Sequence, residues 1–465
     1  MSIGTFTAKL YRFEAVALTA IMLVFSTQAA VSETIHGALS QAYHANPEIN
    51  AQRALTRAAD ESVPQALSGY RPKVTGSADL GYVNQKSHVA RQRYSQDDYG
   101  PRGASVALDQ VLYNGGRTGN LVRAAESRVL GARETLRNVE QTILLNAATS
   151  YMNVLRDTAL LNLRRNNIDV LTTQLRQTSD RFRVGEVTRT DVAQSEARLA
   201  RARSDSFLAE ANLKSSMATY RQIVGSEPTK LAPAKTVEGL LPKSREAALA
   251  MSQREHPAVA AALHGVDQQL LQVKAIESEL YPTIGVTASL SRRYDTQSPG
   301  SDLWQGSVVG RLSVPIYEGG ATYSRVREAK ETLTSQRVTV DTQRERVRQL
   351  VVSMWGALES TKAQINAAEA QVKAAEIALS GVREEAKVGQ RTTLDVLNSQ
   401  QDLLDARVAL VTAQRDRVVA SYNVLAAIGR LSLRTLGVSV AAYDPKVHYG
   451  QVRDKWIGLR TPDGQ

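Results

Sequence analysis

The chain has 465 residues, 57 Lys and Arg against 46 Asp and Glu for a net charge of +11, only 5% aromatic residues and no cysteine. Without cysteine there is no zinc–thiolate site, disulfide framework, cysteine nucleophile or lipidated N-terminal cysteine to expect. The basic excess is spread along the whole chain among interleaved acids, with no aromatic–basic platform. That excludes a nucleic-acid partner and reads as the charged faces of solvated helices.

Lys9 and Arg12 precede the apolar run AVALTAIMLVF (15–25), and the small residues STQAAVS follow it. Residues 1–32 are therefore expected to be a signal peptide cleaved after Ala29, Ala30 or Ser32. The run is too short for a membrane-crossing helix, which needs about 20 apolar residues. No later stretch has 18 consecutive apolar residues, so no transmembrane helix is expected.

From Glu33 onward the sequence is duplicated. Asn46-Pro47 is answered by His256-Pro257, and Tyr70-Arg71-Pro72 by Leu280-Tyr281-Pro282, at an offset of 210. Leu112-Tyr113-Asn114-Gly115-Gly116 is answered by Ile316-Tyr317-Glu318-Gly319-Gly320 at an offset of 204, which then holds through Gly225 and Gly429. The six extra residues of the first copy are assigned to the polar, turn-rich loop VNQKSHVARQRYSQDDYGPRG.

Between its proline-rich start, which is expected to be helical in the first copy, and its GG turn, each copy holds two strand-like segments. Ala78, Leu80 and Tyr82 alternate with Ser77, Asp79 and Gly81, and Val106, Leu108 and Leu112 oppose Ser105, Asp109 and Val111. In the second copy Val286, Ala288 and Leu290 alternate with Thr287, Ser289 and Ser291, and Val308, Leu312, Val314 and Ile316 with Arg311 and Ser313. Period-two alternation gives a sheet with one oily and one wet face, as in a membrane barrel. Four strands cannot close such a barrel, because single-chain barrels start at about 8 strands and open edges are not tolerated in lipid. Other copies of the chain must complete it.

None of the 13 prolines falls in 102–227 or 316–444. These zones are rich in helix formers and predict helices from Arg117 to Val184 and from Ala321 to Val388, returning over 191–224 and 395–428. Leu397, Leu404, Val411, Val418 and Leu425 recur every seven residues as a packing seam. The first copy keeps Val192, Leu199, Leu213 and Tyr220, with Ser206 breaking the pattern. The turns between the long helices, RVGEVTRTDVAQS (183–195) and KVGQRTTLDVLNSQ (387–400), align residue for residue, and Thr188-x-x-Asp191 and Thr392-x-x-Asp395 both have capping-box spacing.

The expected organisation is a signal peptide (1–32) and a first repeat (33–225) with a β-hairpin over about 72–114 and a helical hairpin over about 117–224. A linker (226–242) leads to a second repeat (243–430), with a β-hairpin over about 282–316 and a helical hairpin over about 321–428. A C-terminal tail (431–465) follows, and its polar segment DPKVHYGQVRDKWIGLRTPDGQ is expected to be partly disordered. There is no phosphate-binding GxxxxGK[ST] loop. Histidines 36, 44, 88, 256, 264 and 448 lack metal-ligand spacing, and no nucleophile–base constellation suggests an enzyme.

The duplication, the proline-marked strand openings, the YNGG and YEGG turns and the two VG tips resemble the TolC family of outer-membrane efflux and type I secretion channels. The segment GQRTTLDVLNSQQDLLDARVAL (389–410) carries the resemblance most specifically, and it covers about Glu33 to Leu436. It implies a mainly α fold with a membrane β-barrel part. In such a homotrimer, a 12-stranded outer-membrane barrel continues into a long periplasmic coiled-coil barrel. A periplasmic adaptor and an inner-membrane ABC or proton-driven pump would complete the path, with outer-membrane lipid around the sheet and no cofactor.

On the family's pattern Asp395 is the acidic pore constriction, and Asn398 replaces a second acid one turn on. Arg391 matches the basic member of a gate latch and Thr190 and Asp191 its partners, which implies an Arg391–Asp191 link. Ala386 stands where a latch tyrosine is found elsewhere. Val184, Gly185, Val388 and Gly389 are the implied adaptor contacts. The absence of cysteine favours the secretion-type branch over the lipid-anchored one. A soluble periplasmic coiled-coil adaptor is the alternative, although it needs one hairpin rather than two copies with strand pairs.

Overall fold

The computed structural model describes residues 32–87, 95–296, 300–462 and 464, so residues 1–31 of the expected signal peptide lie outside it. In chain order, α1 (Ile35–Ala45), α2 (Pro47–Asp60) and α3 (Ser62–Leu67) lead through a 3₁₀ turn (Ser68–Tyr70) to the strands. These are β1 (Lys73–Leu80), β2 (Val83–Ser87), β3 (Ser95–Tyr99) and β4 (Arg102–Asn114). The first helical hairpin is α4 (Arg117–Arg183) and α5 (Arg189–Val224). The second copy supplies α6 (Arg245–Glu255), α7 (Pro257–Glu277), β5 (Thr283–Tyr294), β6 (Asp302–Ser313), α8 (Ala321–Lys387) and α9 (Thr393–Ala427). A final helix, α10 (Pro445–Val452), lies in the tail, where the sequence pattern gave no helix.

Helices α4 and α8 each run 67 residues without a proline, about 100 Å at 1.5 Å per residue. Rods this long cannot bury a face alone, and the main core sits part-way along them. There Leu39 and Ile49 meet Leu144 and Tyr151 of α4, Tyr220 of α5 and Tyr422 and Leu425 of α9. The Tyr151 hydroxyl lies 2.8 Å from the Glu33 carbonyl and 2.7 Å from the Ala232 carbonyl, while Tyr220 donates to the Glu33 carboxylate at 2.6 Å. Burial pushes Tyr151 up to about 12, so this clamp on the N-terminal segment and the linker stays protonated across the physiological range. Fully burying each such side chain contributes about 1.5–3 kcal/mol, which makes this belt the anchor of the molecule.

Towards one end the chain forms a four-stranded antiparallel sheet in the order β1-β4-β5-β6. Directly paired residues share a face, and the register places Val74 opposite Leu108, Val106 opposite Leu290, and Ala288 opposite Val308. One face is thus aliphatic yet open to the surroundings, with Val74, Leu80, Val106 and Val308 all exposed. The other carries Ser77 against Ser105 at 2.7 Å, Thr287 against Asp109 at 2.7 Å and Arg293 against Asp79 at 2.8 Å. Strands of 12 or 13 residues exceed the 9–11 that a tilted strand needs to cross the hydrocarbon.

Three sequence expectations change. The first copy's insertion is not simply a loop, because Val83–Ser87 pairs with Ser95–Tyr99 as a ribbon that extends the hairpin. A bulge between Val111 and Tyr113 makes Leu112 an extra residue, so it does not continue the Val106–Leu108 face by alternation. Strand β6 stops at Ser313, where Pro315 leaves no donor for a ladder, so Val314 and Ile316 lie beyond it.

The two glycine turns after β4 and β6 have the same backbone but different surroundings. At Gly115 (φ 64) a Cβ would lie 2.6 Å from the Ser278 carbonyl oxygen and 2.8 Å from the Tyr281 Cβ. Its repeat counterpart Gly319, also at φ 64, has nothing within 4 Å. The residues that answer Ser278 and Tyr281 in the first copy are Ser68 and Arg71, at the foot of β1 on the far edge of the sheet.

Candidate pore constriction at the helical tips

Both long helices end in a reversed turn at a left-handed glycine, Gly185 (φ 83) and Gly389 (φ 78). The Glu186 N–H donates to the Arg181 carbonyl, and the Gln390 N–H to the Glu385 carbonyl, each at 2.9 Å. This satisfies carbonyls that the helix end leaves open. Val184 and Val388, each 72% exposed, form the outermost apolar points.

The returning helices start in matching capping boxes. Thr188 N–H donates to Asp191 Oδ2 at 2.9 Å and Asp191 N–H to Thr188 Oγ1 at 3.3 Å. The Thr392–Asp395 pair repeats this at 2.9 and 3.2 Å. The Thr392 N–H, then its hydroxyl and more weakly the Arg391 charge hold Asp395 below the usual carboxylate range. Asp395 is therefore ionised at neutral pH, and both cap bonds fall on Oδ2. Capping and a role in a charged ring use different oxygens of one carboxylate.

The tips are packed on each other. Leu397 of α9 sits with Leu171 of α4 and Leu199 and Ala202 of α5, so the heptad seam joins the two hairpins. Beside it Arg198 Nη2 donates to Asn398 Oδ1 at 2.8 Å. The Arg391–Asp191 link does not form within the chain. Arg391 Nε instead reaches Glu385 Oε2 at 2.8 Å across its own tip, while Asp191 closes its own cap and Thr190 is exposed. Arg198 and Glu385 were missed. The signal available was charge inversion between copies, since Arg198 aligns with Asp402 and Arg181 with Glu385.

A cleft of about 880 Å³ runs between the hairpins just behind the tips, bordered by Val170, Gln174, Leu379, Ala386, Val396 and Gln400. Gln400 is 6% exposed, and neither its amide oxygen nor its nitrogen has a hydrogen-bond partner. A buried amide left unpaired costs about 1–3 kcal/mol, a deficit that a polar group entering the cleft would relieve.

A sheet with one oily and one wet face, continuous with helices of about 100 Å that end in matched capped turns, defines an outer-membrane channel-tunnel. The comparisons with known proteins agree. The family model for outer membrane efflux proteins matches residues 38–226 and 248–430, and the chain belongs to that family. It is 44% identical over 446 residues to the outer membrane efflux protein BepC of Brucella suis, covering 95% of both chains. It is 27% identical over 421 residues to the outer membrane protein TolC of Escherichia coli, covering 87% of this chain and 84% of that one. Among solved structures, the CmeC outer membrane channel of Campylobacter jejuni shares the fold at a TM-score of 0.75 and 16% identity, covering 90% and 89%. The chain is an export channel of the outer membrane reaching into the periplasm, and the soluble-adaptor alternative is set aside.

Proposed function

We propose that three copies of the chain close a twelve-stranded barrel and a helical tunnel that carries small toxic compounds, proteins by type I secretion, or both. The observation that carries this reading is the four-stranded sheet, which has one apolar face and two edges without a partner among the described residues, β1 and β6. Open edges are not tolerated in hydrocarbon, so further copies must pair with them. The duct is passive, and an inner-membrane ABC or proton-driven pump supplies the energy through a periplasmic adaptor. The adaptor meets Val184, Gly185, Val388 and Gly389 and enters the cleft, where it pairs with Gln400.

Three Asp395 carboxylates around the axis form the selective ring, and the Asn398 side chains form a polar ring one turn on. Like charges gathered around one axis repel each other and favour cations. Arg198 behind Asn398 adds positive charge and softens that preference. The resting latch joins Arg391 to Thr190 and Asp191 of the neighbouring hairpin, which requires Arg391 to leave Glu385. Exposed ion pairs contribute little, so docking of an adaptor suffices to exchange them.

Single-channel conductance in planar bilayers tests this reading. The mature protein is expected to give discrete, cation-preferring channels, with the preference reduced in Asp395→Asn and increased in Arg198→Gln. A folded oligomer without conductance would overturn the duct. Channels indifferent to Asp395→Asn would reduce that residue to a helix cap.

A further inference from the structure

We infer that the C-terminal segment Lys455–Arg460 is a membrane foot that inserts into the periplasm-facing leaflet of the outer membrane. The tail is tied down on its way there. Asp60, wholly buried, pairs with His448 of α10 at 2.9 Å, Arg133 lies over the Tyr449 ring at 5.1 Å, and Arg453 approaches Glu126 at 3.7 Å. These contacts lead the chain along α2 and α4 towards the sheet. It arrives at Arg71, whose Nη1 donates to the Lys455 carbonyl at 2.8 Å while its guanidinium stacks on Trp456 at 4.7 Å. Arg71 precedes Pro72 and the start of β1, so the segment is held at the level where the wall enters the lipid.

The segment then closes on itself. Lys455 Nζ donates to the Arg460 carbonyl at 2.6 Å, and Gly458, at φ 121, provides the turn. The resulting loop shows its apolar side chains outward, with Trp456 67%, Ile457 90% and Leu459 103% exposed. Tyr70, Tyr113 and Tyr281, also exposed, stand near the same feet of the strands. Indole and phenol rings are enriched where headgroups meet hydrocarbon, and aromatic girdles mark both rims of membrane barrels. Lys455, Arg460 and Arg71 complement anionic headgroups. An apolar loop flanked by cations, fixed at bilayer depth and uncovered by the other described residues, fits a phospholipid surface.

The foot rests on the sheet being in the bilayer, so the test carries its own control. Two single-tryptophan proteins, one keeping Trp456 and one keeping Trp304 on the apolar face of β6, are reconstituted into phosphatidylethanolamine–phosphatidylglycerol vesicles. Half of the preparations contain acyl chains brominated close to the headgroup. Loss of emission from both tryptophans supports the foot. Loss from Trp304 with Trp456 unaffected overturns the foot alone, and loss from neither overturns the membrane placement of the sheet as well. A photoreactive benzoylphenylalanine replacing Ile457 in whole membranes gives an independent reading. A phospholipid adduct supports the inference, and a covalent link to a second copy of the chain overturns it in favour of a contact between protomers.

Discussion

At the first tip Arg181 pairs with Glu186 at 3.0 Å; the aligned position in the second tip is Glu385, which pairs with Arg391 at 2.8 Å. The glycine turns, the carbonyl closures and the Thr–Asp boxes are otherwise the same bond for bond. Backbone hydrogen bonds therefore fix the shape of a tip, and the charges mounted on it are free to diverge. The same separation holds where each copy begins. Asn46 and His256 both cap a helix opened by proline, Asn46 through an amide oxygen and His256 through Nδ1, which accepts from the Ala258 N–H at 3.2 Å. One of these two caps can titrate and the other cannot.

Substitutions made in pairs break or sharpen this comparison. Leu199 and Leu403 are buried at aligned positions, and Leu199→Ala and Leu403→Ala should each cost about 2–5 kcal/mol, read as matched drops in thermal midpoint. A mismatch would show that the hairpins differ in packing as well as charge. The caps should part with pH. Burial, and then Arg137, push His256 down to about 4 from an ordinary 6.5. The unfolded chain then binds a proton that the native chain refuses, so stability falls as pH drops from 6.5 to about 4, by about 3 kcal/mol in all. His256→Asn, which copies the first repeat, should flatten that slope in melts taken across the window, whereas Asn46→Ala should leave it intact.

Removing a box, by Thr188→Ala or Thr392→Ala, should cost about 1 kcal/mol at either tip. Only Thr392→Ala should also change ion selectivity in bilayers, because it frees Asp395 to move. The smallest effect belongs to the tip ion pairs. Arg181→Ala and Arg391→Ala should each leave the thermal midpoint almost unchanged, since exposed ion pairs contribute little, with Arg391→Ala alone raising the open fraction of single channels.

Much of this was legible in the sequence. The duplication, at offsets of 210 and 204 residues, placed both hairpins, because proline-free helix formers and a glycine stop mark a long helix from either end. The Thr-x-x-Asp spacing predicted the boxes. The β2–β3 ribbon was not legible, since its polar residues follow no alternation that separates a strand from a loop. Nor was the partner of Arg391, since Glu385 lies across a reversed turn whose geometry brings together residues that a helical count keeps apart. Arg198 on Asn398 was hidden for a related reason, because a contact between hairpins leaves no local period. Helix α10 was not legible because the groups that hold it, Asp60 and Arg133, are distant in sequence.

The crowded Gly115 and the empty surroundings of Gly319 bear on how the channel is made. A lone chain entering a bilayer would carry two rows of unpaired backbone groups into hydrocarbon, at several kcal/mol for each group. On the proposed assembly the membrane therefore admits only closed rings, and its entry step counts chains. Insertion should rise more steeply than linearly with protomer concentration. One chain with a bulky residue at Gly319 should spoil the ring it joins, so such a lesion should be genetically dominant while a lesion inside one hairpin should not.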